Sequence, residues 1–129
     1  MKKDITDLAD IKLLVDTFYD SIREDALLKD IFNNKIEDRW PQHLQKMYSF
    51  WQTVLLEEHT YNGSPFVPHA KLPVDIAHFE RWLQLFFTTI DDLFEGEKAE
   101  KAKWQGQRMA EMFHSKIEYY NKNPGTVLR

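Results

Sequence analysis

Five histidines, at 43, 59, 69, 78 and 114, are the side chains best able to ligate a metal or exchange a proton near neutral pH. No two of them make an HExxH motif, and Glu57-Glu58-His59 has no second ligand at helical spacing. The absence of cysteine removes thiolate-held zinc, iron–sulfur clusters, cysteine nucleophiles and disulfides together. Nor is there a glycine-rich phosphate loop, a GxSxG elbow or a lysine in a nucleotide motif. The chain around these histidines is rich in Phe, Trp and Tyr, at 14%.

The elements that position these histidines follow from apolar spacing. Leu8, Ile11, Leu14, Val15, Phe18 and Ile22 recur in steps of three and four, which predicts an amphipathic helix from about Asp7 to Arg23, with Tyr19 at the edge of the stripe. A short, partly helical piece follows over Asp25 to Phe32, and Asn33-Asn34 is expected to end it. A second long helix starts at Pro41, which suits a first helical turn, and runs to about Glu57. On a wheel with His43 at zero, Phe50 falls near about −20°, Val54 about +20°, Met47 about +40° and Trp51 about +80°. Gln42, Lys46, Ser49 and Thr53 take the polar side, so His43 points along the apolar stripe. Residues 59 to 73 hold Asn62-Gly63 and Pro65, Pro68 and Pro73, so turns dominate there; His69 follows Pro68 on a proline-bounded turn.

A third long helix is predicted from an Asp75 cap to Phe94, with Phe79, Trp82, Leu83, Phe86, Ile90 and Leu93 on its stripe and Gly96 as its stop. A fourth runs from Glu97 to Tyr120. Small residues at 99, 102, 106 and 110 on its inner face allow close approach of another helix, and 121–129 reads as a loose tail. His59, at a helix end, His78, off its stripe and solvated, and His114, off its stripe, read as structurally ordinary. The class is all-α, one domain over residues 1–129.

Composition narrows the function further. A net charge of −4, from 17 basic and 21 acidic residues, argues against nucleic acid as the main partner. No apolar run is long enough to span a membrane, and Met1-Lys2-Lys3-Asp4 leads into no apolar signal core, which points to a cytoplasmic protein. Taken singly, His43 is a core histidine and His69 a surface one. Taken together, a Met-, Phe- and Trp-rich helix face opposite a rigid turn bearing one histidine is how an all-α protein holds a haem.

Several local motifs occur in one order: Phe18-Tyr19-Asp-Ser-Ile-Arg23, Ile31-Phe32-Asn33-Asn34, Trp40-Pro-Gln-His43 with Phe50-Trp51, Tyr61-Asn-Gly-Ser-Pro65, His69 with Leu72-Pro73, and Phe79-Glu-Arg-Trp82-Leu83. In these the chain resembles the group III (P-type) truncated haemoglobins of bacteria, from about Leu8 to Ile117. The glycine pairs that mark the other truncated branches are absent. The resemblance implies a two-on-two helical sandwich around haem b, with His69 as the proximal iron ligand. It implies Tyr19, His43 and Trp82 as the distal set around the bound gas, Phe32 packing at the haem edge, and Met47, Phe50, Trp51 and Phe79 lining the cofactor. Lys46 and Lys71 are candidates for the haem propionates, against a plain reading of each as a solvated lysine. Tyr19, Trp82 and His43 all carry possible donors to a bound gas, although polar-tipped core aromatics are the alternative for the first two.

The function implied is binding of O2, with CO and NO as further ligands, by a monomer or weak dimer. The alternative is a haem enzyme reducing peroxide or oxidising NO with electrons from an external reductase. A third reading, a haem-free helical interaction module, leaves the pairing of His43 with His69 unexplained.

Overall fold

The computed structural model describes residues 2–61 and 74–122; these form five helices and, among the described residues, no strand. Helix α1 (Leu8–Glu24) starts where the Asp7 carboxylate accepts the Asp10 N–H, and it buries Ile11, Leu14, Val15, Phe18, Tyr19 and Ile22. Leu8, expected on that stripe, is exposed, because it stands in the first turn beyond the packed face. Helix α2 (Lys29–Ile36) continues through Asn33-Asn34, against the expectation that they end it. Ile36 is buried, and Asn33 Oδ1 accepts from Trp40 Nε1 at 3.2 Å, so packing overrides a weak local preference. The turn comes at Glu37, at φ 56°.

Helix α3 (Trp40–Leu56) has Pro41 in its first turn, as predicted, and ends on Glu57 in the left-handed conformation. Helix α4 (Ile76–Leu93) is capped by Asp75, whose carboxylate accepts from Ala77 N–H. His78, expected to be solvated, instead completes this cap: its Nδ1 accepts the Asp75 N–H at 3.0 Å and its side chain is largely covered. Helix α5 (Glu97–Lys122) outruns its predicted end and includes Asn121 and Lys122, which the sequence assigned to the tail. Helix α1 is the hub, packing on α2, α3 and α4, while α5 lies along α4 and touches α3.

Two glycines are needed for these approaches. A side chain at Gly106 would bring a Cβ within 2.8 Å of the Phe86 ring, so its absence lets Phe86 lie between α4 and α5. Phe86 in turn carries Trp82 stacked at 5.1 Å and Trp51 at 5.2 Å. Gly96, expected as a stop for α4, is rather the joint into α5: it has φ +140°, and a Cβ there would meet Asp4 at 2.5 Å. Asp4 occupies that corner because its carboxylate accepts the Lys98 and Ala99 N–H groups, both at 3.0 Å, capping α5 from the other end of the chain.

Burial raises the Asp4 carboxyl, but the N–H donors of Lys98, Ile5 and Ala99 outweigh it and hold the group below its ordinary 3.8. A depressed folded value means stabilisation that is present above 3.8 and lost as pH falls through the folded value. Asp4→Ala is therefore expected to cost about 1 kcal/mol at neutral pH. The gap from the parent should close well below pH 3.8 in urea titrations; a gap unchanged with pH would contradict this cap.

Candidate functional site

The inner faces of α1, α2 and α3 bring Tyr19, Phe32, Trp40 and His43 together. The Tyr19 ring lies 5.2 Å from His43, 5.8 Å from Trp40 and 6.2 Å from Phe32, and it meets Phe18 edge-on at 5.0 Å. His43 is half-buried, and its ring stands nearly perpendicular to both Tyr19 and Trp40. Trp82 joins from α4 on the other side of Phe18, 5.2 Å away and edge-on. Tyr19 and Trp82 thus meet at Phe18, while His43 reaches Tyr19 and Trp40.

Tyr19 is buried, and it carries the one hydroxyl among these rings. Burial alone pushes the Tyr19 hydroxyl above its ordinary value, so it is protonated, and a donor, across neutral pH.

Of the remaining candidates, Phe50 and Trp51 are buried in the core and Met47 packs half-buried against it. Phe50 also holds Tyr61, at 5.4 Å. The Thr53 hydroxyl accepts the Thr60 and Tyr61 N–H groups and so fastens the chain leaving α3. Lys46 is exposed. Phe79 sits apart, in a second cluster with Phe113 and Ile117. His69 and Lys71 lie outside the described residues.

Some positioning residues carry no local signal in the sequence. Asp25 is buried at the α1–α2 corner, where one oxygen accepts the Leu27 and Leu28 N–H groups at 3.1 Å and the other accepts Arg81 Nε at 2.6 Å. This pair ties the corner beyond Tyr19 to the turn of α4 that carries Trp82. Losing the carboxylate strands two N–H groups and a charged donor, so Asp25→Ala is expected to lower stability by about 2–4 kcal/mol. A loss under about 0.5 kcal/mol in urea unfolding would remove Asp25 from this role.

A cleft of about 270 Å³ opens between α1 and α3, with Tyr19, Trp40, Arg23, Asp16 and Tyr48 in its wall. Arg23 lies over the Trp40 ring at 4.6 Å, and the Tyr48 hydroxyl donates to Asp16. Burial and the Asp16 carboxylate push Tyr48 up to about 12. Among the described residues no three His, Asp or Glu side chains form a metal cluster, and no helix is long and apolar enough to cross a membrane.

Residues 4–117 match the family described as Bacterial-like globin. A group 3 truncated hemoglobin of Campylobacter jejuni is 32% identical over 124 residues, covering 93% of this chain and 98% of that protein. The crystal structure of the group III truncated hemoglobin from Campylobacter jejuni superposes with a TM-score of 0.82 at 32% identity, over the same shares of the two chains.

Proposed function

Because the chain belongs to the bacterial-like globins, among the group III truncated haemoglobins, we propose that it holds haem b on His69 and binds O2 beneath Tyr19, His43 and Trp82. Members of this family are haem proteins that bind diatomic gases. One feature of the described residues supports the fit. Phe32, Met47, Trp82 and Tyr61 are apolar or aromatic and pack on the core, yet each stays only half-buried. Such a surface suits a flat, mostly apolar group laid against it. Haem, when bound, supplies an iron at which a diatomic gas coordinates.

The rest is the work of this chain. The observation that carries the reading is the buried Tyr19 phenol, set edge-on 5.2 Å from the His43 ring. A neutral phenol donates without bringing a charge into an apolar pocket. Phe18 and the stack on Phe86 hold the Trp82 indole in place on α4. Phe50 and Trp51 serve as the packed base of α3 beneath His43, and Phe79 is assigned to the α4 side of the cofactor. Lys46 and Lys71 are assigned to the propionates, where a flexible ammonium can pair with a carboxylate at the solvent edge.

The test is a visible spectrum of the purified chain with added haem, oxidised, reduced and under CO. One haem per chain and a Soret band that shifts on CO support the proposal. A folded helical protein that takes up no haem overturns it.

A further inference from the structure

Trp104 is 57% exposed on α5, and it heads a stripe rather than standing alone. Arg108, Glu111, Ser115 and Tyr119 follow at steps of three and four, with Met112 beside them on the same side of the helix. Met112 and Tyr119 are 46% and 55% exposed. The Arg108 guanidinium lies over the Trp104 indole at 4.9 Å, and the Glu111 carboxylate accepts from the Gln107 amide at 3.3 Å. Beside Ser115 is a cavity of about 160 Å³ whose wall also includes Phe79, Glu80, Ala110, Glu111 and His114. Ile76, at its edge, is 50% exposed.

We infer that this face binds a second copy of the chain, with the two α5 helices antiparallel across a twofold axis. In such a contact, residue i meets residue j of the partner, and j meets i. If the axis crosses between Met109 and Ala110, Arg108 comes level with the partner's Glu111, and Trp104 with the partner's Ser115. That one register satisfies two independent features. It sets each cation against an anion, and it brings each exposed indole to the cavity beside the small Ser115 of the other copy. The knob and the hole, like the two charges, are therefore self-complementary. The indoles supply the apolar area, with Met112 and Ile76 at the margin, and the charge pairs select the register.

Sedimentation equilibrium on the full chain, with haem added, reads this directly and does not depend on whether the gas-binding proposal holds. The mass should rise from one chain to two with concentration. Trp104→Ala should weaken association about tenfold or more. Arg108→Glu and Glu111→Arg should each weaken it about tenfold through like-charge contact. The two together restore the pairing, and association should return to within about threefold of the parent. All three positions are on the exposed face of α5, so folding is not at stake. A single-chain mass up to about 1 mM overturns the inference. So does a dimer indifferent to these changes, or a double variant that stays as weak as the single ones.

Discussion

Replacing His69 by alanine is expected to abolish stoichiometric haem uptake while leaving a folded helical chain. In the proposed assignment His69 would hold the iron, and no other histidine is assigned to the proximal side. The Tyr19, Phe18 and Phe86 rings pack on one another, so the far-ultraviolet dichroism should be retained. His43→Ala provides the contrast. If His43 serves the gas and not the iron, its loss leaves haem bound at one per chain and changes the ligand kinetics alone. The measurement is the Soret absorbance per chain for both variants. An unchanged spectrum in His69→Ala, or haem loss in His43→Ala with retention in the other, reverses the assignment.

The second large effect concerns release of O2. Each hydrogen bond donated to the bound gas contributes about 0.5–1.5 kcal/mol, and about 1.4 kcal/mol is a factor of ten. Tyr19→Phe and Trp82→Phe should therefore each speed O2 dissociation by up to about tenfold, and the double variant by up to about a hundredfold. Trp82→Phe also changes the stack on Phe86, so the cleaner test is Tyr19→Phe, which removes one oxygen. Burial holds the Tyr19 proton in place, so its share of the slow release should stay constant across neutral pH. Stopped-flow displacement of O2 by CO gives the rates. Equal rates in parent and both variants would show that neither group touches the gas.

Helices α1, α3, α4 and α5 were legible because each buries a stripe, and a stripe is a local pattern. Ile11, Leu14, Phe18 and Ile22 on α1 and Phe86 and Ile90 on α4 are buried as their spacing predicts. The wheel of α3 set His43 along the apolar stripe, and the structure brings its ring 5.2 Å from Tyr19 on α1. What escaped was set by partners far along the chain. Asn33-Asn34 looks like a helix end until Trp40 is seen hydrogen-bonded to Asn33. His78 looks solvated until its ring turns back to the Asp75 N–H. Asp25 and Arg81, 56 residues apart, have no local pattern linking them. His69 and Lys71 lie outside the described residues, so their roles rest on the resemblance.

The Asp4 cap joins residues 94 and 95 positions apart. A cap at that separation is a late event in the life of the chain. During synthesis the first turn of α5 emerges long after Asp4, which must wait in a partly built protein until its N–H donors arrive. Closing so long a loop is slow relative to forming a helical turn, so α5 forms first and is captured afterwards. A bulky fusion placed just ahead of Lys3 would act on the start of α5, at the opposite end of the sequence. Its signature would be faster opening of the amides of Lys98 and Ala99 in hydrogen exchange, with the Phe86 core protected as before.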